Sequence, residues 1–336
     1  MAPNYDTTGR WVLWSEDQNP YDFDLPDCDT DLAGAVEYRC DWTRVVQLPK
    51  AWEEQSDAQI HHGTPRHRAK MGSLRVINFG PAGIPRVCPW QQKFCRCGMT
   101  TPDGWFWPGC YAKQGRCVQP DASRTHQCLA RLAAHDYATA VERLPIRKGG
   151  PTLVRMSSIG DAGDFGKAEA VASGLWARRG RIDGVFWPTR AWTGGKMGRF
   201  GGPRVWAMLD ASPIGPSILC SMDASTCAAP PLGHAVGWIF PDARIPTGTM
   251  VCRHFTRRMP CMDCRWCFPS PGEPSRHVVF PLHGVFPPAL GGARLGTYVY
   301  MPKEIDDAGR LVNHDGATAY LLDYWARQGV DYYGRA

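Results

Sequence analysis

The sequence predicts an α/β fold in which parallel strands, joined by helices, curl into a partial or full parallel (β/α) barrel. Three observations carry this expectation. Short apolar runs of strand length recur from residue 74 onward, rich in Val, Ile, Leu and aromatics. Helical patterns lie between several of them. Strands that alternate with helices pair in parallel through right-handed crossovers, and enough such units in series curl the sheet.

The runs fall at 74–79, 152–158, 184–190, 217–223, 235–240, 249–254 and 277–282. A helix is expected over 122–144, where Leu129, Leu132, Ala133, Tyr137, Ala140, Val141 and Leu144 share one face behind the Pro120-Asp121 start signal. Two more are expected over 166–180 and 203–211. Residues 1–70 have no sustained period and carry Pro, Asp and Gln throughout, so they read as an acidic, irregular leader wrapped on the body. Residues 71–286 form the barrel-like domain, and 287–336 a C-terminal extension packed on it.

With 336 residues, core size is not limiting, and 43% hydrophobic against 21% charged residues is the balance of a globular chain. The formal charge of +6 is unevenly spread, because residues 1–40 hold nine Asp/Glu against two Arg. The body is therefore basic. That suits an anionic substrate such as a nucleotide or nucleic acid, and equally an ordinary solvated surface. No apolar run reaches the ~18 residues of a membrane helix, and the first residues have neither a basic nor an apolar signal region. The expected compartment is the cytoplasm, where structural disulfides do not persist and the 14 cysteines read as metal ligands.

Those cysteines cluster twice. The first loop, directly after the first expected strand, carries Cys88, Cys95, Cys97, Cys110 and Cys117 within VCPWQQKFCRCGMTTPDGWFWPGCYAKQGRC. Thiolates are soft donors for iron–sulfur clusters, zinc or Cu(I), and a Gly/Pro-rich loop lets several sulfurs converge. Cys88, Cys95 and Cys110 are the favoured ligands, with Cys97 next. The second cluster, VCRHFTRRMPCMDCRWCF, places Cys261, Cys264 and Cys267 at two-residue gaps with Cys252 remote. That is the ferredoxin-like arrangement for a 4Fe-4S cluster, and zinc is the alternative metal. Pro260-Cys261-Met262-Asp263-Cys264 also matches half of the zinc deaminase signature, but the His-x-Glu half occurs nowhere in the chain.

Other residues fit chemistry at strand ends. In SSIGDAGD, at 157–164, Ser158, Asp161 and Asp164 are expected near the strand end, with glycines such as Gly160 letting backbone N–H groups approach a ligand, and Asp161 is the favoured carboxylate; the alternative is an ordinary turn with a helix N-cap. Arg155, Arg190 and Asp223 lie in or just after strands, where they would either bind a zwitterionic cofactor or form buried ion pairs. His283 is either a proton-transfer group or a core histidine. The tryptophans at 105, 107, 187, 192, 238 and 266 either stack a base or anchor core and loops.

Taken together, the CP and CYAKQGR elements of the first loop, SSIGDAGD, SMDAS, CMDCRWCF and VVFPLHG resemble the phage gene-product-88 family, itself similar to the radical S-adenosylmethionine proteins, over roughly residues 74–286. The resemblance implies a phage or prophage origin, a radical-SAM-like barrel and ligand loops for two iron–sulfur clusters, with S-adenosylmethionine as a second cofactor and a reductant such as flavodoxin or ferredoxin as partner. Asp161, Arg190 and Asp223 are then the candidate catalytic residues, and Ser158, Gly160, Tyr111 and Arg155 the candidate cofactor-binding ones. The chain departs from that pattern in the first loop. The radical S-adenosylmethionine motif is Cys-x-x-x-Cys-x-x-Cys, whereas the gaps here are six, one and twelve residues. Three readings therefore stand: a radical-SAM-like enzyme with one open iron, a non-catalytic zinc- or iron–sulfur-stabilised nucleic-acid-binding protein with closed sites, or an electron-transfer or scaffold protein with two closed iron–sulfur centres.

Overall fold

The computed structural model describes residues 46–47, 74–79, 129, 132–156, 161, 164–193, 202–222, 229–240, 242, 244–257, 259–286 and 296–321. Its frame is an α/β sheet of strands β1 (Val46–Gln47), β2 (Arg75–Ile77), β3 (Leu153–Met156), β4 (Gly184–Thr189), β5 (Ile218–Met222), β6 (Ala235–Phe240), β7 (Met250–Val251), β8 (Val278–Phe286), β9 (Gly296–Ile305) and β10 (Leu311–Leu321). They lie in the order β1-β2-β3-β4-β5-β6-β8-β9-β10, with β7 beside β8. Strands β2 to β8 pair in parallel, while β1, β9 and β10 pair antiparallel. All seven expected runs contain a strand. The β9–β10 hairpin, which extends the sheet beyond β8, and the β1 edge are additions to the expected pattern.

Because β2 to β6 follow one another in space as they do in sequence, every crossover between them steps in the same direction. Right-handed crossovers then place their helices on one face. Those helices are α1 (Ala134–Glu142), α2 (Phe165–Ala177) and α3 (Gly202–Ala211). They pack Tyr137, Val141, Val171, Leu175, Val205 and Leu209 against Val154, Met156, Val185 and Trp187 of the sheet. The pairwise alternation of strand side chains sends Leu153, Phe186 and Leu219 to the other face.

The long helix expected over 122–144 is interrupted. Ala133 is extended (φ −86, ψ 171), and its N–H donates to the Asp136 carboxylate at 2.9 Å, which fixes the start of α1 at Ala134. Of the face expected for this region, Leu129, Leu132, Tyr137, Ala140, Val141 and Leu144 belong to the core, whereas Ala133, at the interruption, is exposed.

One connection runs backward. Val278 of β8 pairs with Gly237 of β6 on one edge and with Met250 of β7 on the other, so the chain passes over β8 to reach β7 and then returns. A right-handed return in the reverse direction crosses the face opposite to α1–α3. The return segment carries α4 (Arg253–Arg257) and α5 (Cys261–Cys264). Its Met262 and Phe268 pack on that opposite face with Leu74, Leu153, Phe186, Leu219, Ala235 and Val278. The outer edge of β7 is covered in turn by the β9–β10 turn, through Val251 N–H to Gly309 O at 2.9 Å and Leu311 N–H to Thr249 O at 2.9 Å.

Candidate functional site

The expected site residues divide between the two ends of the parallel sheet. At the carboxyl end, β2 delivers the chain to Phe79, whose ring stacks on Tyr137 at 5.6 Å and on Trp187 at 5.7 Å. The first cysteine loop follows. Cys88, Cys95, Cys97, Cys110 and Tyr111 lie outside the described residues, as do Ser158, Gly160 and Asp223.

Asp161 is described, and it does what a carboxylate at a strand end can do with backbone donors. It accepts the Thr189 hydroxyl at 2.7 Å and the Arg190 N–H at 2.6 Å. Thr189, the last residue of β4, is buried and also accepts the Ala191 N–H at 3.1 Å. The structure thus brings Asp161 and Arg190 together through the main chain of Arg190. Asp164 supplies the alternative expected for this segment, since its Oδ1 accepts the Lys167 N–H at 2.9 Å and caps α2. Thr189 was absent from the expected set; its signal is only the hydroxyl at a strand end, which any strand can carry.

Arg155 lies on the face opposite the helices, in register with Phe186, with its guanidinium 5.7 Å from that ring. Phe186 in turn contacts Phe268 at 5.6 Å and Phe280 at 5.9 Å. Trp187, Trp192 and Trp238 are buried core residues. His283 pairs with Val299 within β8 and β9.

The second cysteine segment leaves the carboxyl end of β7 at Cys252, whose N–H donates to Val279 O at 2.8 Å, and its 262–269 part reaches the amino end of the sheet. Leu153, Gly184, Ala235 and Val278 are the first residues of their strands; Phe268 shares an apolar cluster with Leu153, Ala235 and Val278 and approaches Gly184, and Val185 N–H donates to Pro269 O at 2.9 Å. At the rise of a parallel strand, Gly184 and Thr189 are about 17 Å apart, so the two ends are separate environments.

Within the segment, Pro260 starts the single turn α5, and Cys264 N–H closes it on Pro260 O at 2.9 Å. Arg265 ends it in the left-handed region (φ 50), the sole non-glycine with positive φ among the described residues. This reversal turns the chain between Cys264 and Cys267. Cys252, Cys261 and Cys267 pack against the same apolar cluster, and none of the described cysteines forms a disulfide. Burial pushes the Cys264 thiol pKa up. The Trp266 N–H bonded to its sulfur opposes that, neighbouring Cys252 pushes it further up, and Arg253 pulls it down. A thiol served by a backbone N–H, a nearby thiol and a guanidinium is the donor chemistry of a thiolate metal site. Among the described residues, no three His, Cys, Asp or Glu side chains converge closely enough to hold a metal ion.

Among the described residues no helix is long and apolar enough to cross a membrane. No family model matches the chain, and no curated protein or solved structure matches it.

Proposed function

We propose that the chain is a radical-SAM-like iron–sulfur enzyme of phage type, with the sheet curled as a partial barrel and its reactive centre at the carboxyl ends of the strands. The observation that carries this reading is at the carboxyl end of the strands. The described chain leaves β2 there through Phe79; Cys88, Cys95, Cys97 and Cys110 follow in the sequence, and Asp161 meets Thr189 and Arg190 at the end of β4. The uninterrupted order β2 to β6 supports the curled sheet, since it is the winding of a barrel rather than of a doubly wound sheet.

In this reading Cys88, Cys95 and Cys110 would hold a four-iron cluster, which when reduced would supply the one electron for reductive cleavage of bound S-adenosylmethionine to methionine and a 5′-deoxyadenosyl radical. Asp161 holds the β3 and β4 ends together beneath that site. Arg155, Arg190 and Asp223 are the residues this reading assigns to an anionic or zwitterionic ligand. Cys252, Cys261, Cys264 and Cys267 form a second, closed centre, where metal binding draws the four sulfurs together and orders the segment.

Anaerobic purification with iron, sulfide and zinc analysis tests the metal. Addition of S-adenosylmethionine to the reduced protein tests the enzyme: the electron paramagnetic resonance spectrum should change and 5′-deoxyadenosine should be released. Cys110→Ala should abolish the change, and Cys261→Ala should preserve it. A colourless, folded protein with two zinc ions and no iron overturns this reading.

A second reading is favoured by one observation, the packing of Met262 and Phe268 of the second cysteine segment against the apolar face of the sheet opposite the helices. A purely structural zinc centre fits that place, and the chain would then be a non-catalytic nucleic-acid-binding protein. The same metal analysis separates the two.

A further inference from the structure

Trp266 lies between Cys264 and Cys267, its indole N–H donates to His277 O at 3.1 Å, and its backbone N–H serves the Cys264 sulfur. Two guanidiniums sit against this one ring, Arg253 at 5.5 Å and Arg276 at 5.1 Å from its centroid. Arg253 directly follows Cys252. Among the described residues neither arginine is ion-paired to a carboxylate, and the Arg253 Nε is buried without a hydrogen-bond partner. Two like charges on one indole, one of them partly desolvated, are unfavourable unless a negative charge lies close by.

We propose that Arg253, seated with Arg276 on the indole of Trp266, is the fixed counter-charge of the four-cysteine centre. This rests on the reading that those cysteines bind metal. A divalent ion or a four-iron cluster held by four thiolates keeps a net negative charge, and beside an apolar cluster that charge is poorly solvated. A guanidinium seated against an indole offsets it without the entropy loss of a flexible ammonium. Trp266 has two tasks here: it donates to one sulfur and positions the cation for the others. Arg253 is accordingly a positioning and charge-balancing residue rather than a ligand.

The test uses the full-length protein as purified, challenged with increasing EDTA, with retained metal measured by elemental analysis. The fraction of metal missing from Cys264→Ala defines the centre concerned. Arg253→Gln should release that fraction at roughly 10-fold lower chelator, the low end of the effect of removing a residue that supports a metal ligand. Arg253→Lys should recover most of the difference, and high salt should shrink it, because a partly exposed charge is screened. Arg276→Gln should act in the same direction by a smaller factor, and it serves as the reading if Arg253→Gln does not fold. Wild-type metal retention in both glutamine variants overturns the proposal, as does a lysine variant no better than glutamine, which would assign Arg253 to packing. If Cys264→Ala retains as much metal as the wild type, the four-cysteine centre itself is absent and the proposal falls with it; that result is distinct because it appears before any arginine is changed.

Discussion

Gly184 and Phe268 touch through their main chains: a Cβ on Gly184 would stand 2.7 Å from the Phe268 carbonyl oxygen and 2.9 Å from its Cβ. This contact seats the cysteine segment on the first residue of β4. The neighbour is backbone, held by Phe268 N–H to Arg265 O at 3.0 Å and by the adjoining Val185 to Pro269 bond, so it cannot swing aside.

Gly184→Ala should therefore cost about 1–3 kcal/mol, the range for overpacking a tight site, and it should loosen the cysteine segment before the sheet. Limited proteolysis within 252–268 at a temperature where the wild type resists would show it. Unchanged proteolysis and an unchanged unfolding midpoint would mean that the segment is seated elsewhere.

Asp161 and Thr189 act as one unit across two strand ends. Asp161→Ala leaves the Thr189 hydroxyl and the Arg190 N–H without their acceptor, and each loss of this kind costs about 1–3 kcal/mol when the group is buried. Thr189→Val removes one of those donors. Urea unfolding of both single variants and the double variant should show a coupling of about 1 kcal/mol, as expected for residues in direct contact. Strict additivity would mean that the bond contributes nothing.

Cys220 gives a pH signature. Burial, with a smaller contribution from Asp210, pushes its thiol pKa up to about 12, against an ordinary value of 9.0. In the unfolded chain the thiol ionises above the ordinary value, while the folded chain keeps its proton. The folded state thus binds more protons in that window, and stability falls as pH rises from about 9 towards 12, at up to ~1.4 kcal/mol per pH unit. Cys220→Ala should flatten this alkaline loss and, because Cys220 is fully buried, should leave the count of rapidly labelled thiols in native protein unchanged. An identical alkaline slope in the variant would assign the loss to other groups.

Cys264→Ala tests the second centre by stability. The segment holds Met262 and Phe268 as its main apolar anchors, so metal should supply much of the free energy that orders it. The variant should lose metal and become protease-sensitive between 250 and 268. Retention of both metal and protease resistance would remove the centre from the account.

The positions of the seven parallel strands were legible in the sequence because each is a short run dense in β-branched and aromatic residues, and buried parallel strands need no longer-range signal. The same is true of α2 and α3. The β9–β10 hairpin was not anticipated. Its turn, Asp306-Asp307-Ala308-Gly309, with Gly309 at φ 86, is an acceptable hairpin signal, but Pro302, Lys303 and Glu304 interrupt the apolar pattern of β9, and a shifted register accommodates them.

The sequence by itself determined the element types, the clustering of the cysteines and the candidate residues at strand ends, all of which depend on neighbours within a few positions along the chain. Only the tertiary structure decided where those candidates stand. Asp161 meets Thr189 and Arg190 because adjacent parallel strands end side by side. The Cys252–Cys267 region reaches the face opposite the helices because β7 lies beyond β8, and a right-handed return must then cross that side. Strand order is set by pairing between residues far apart in sequence, so no local pattern in the cysteine segment itself contains it.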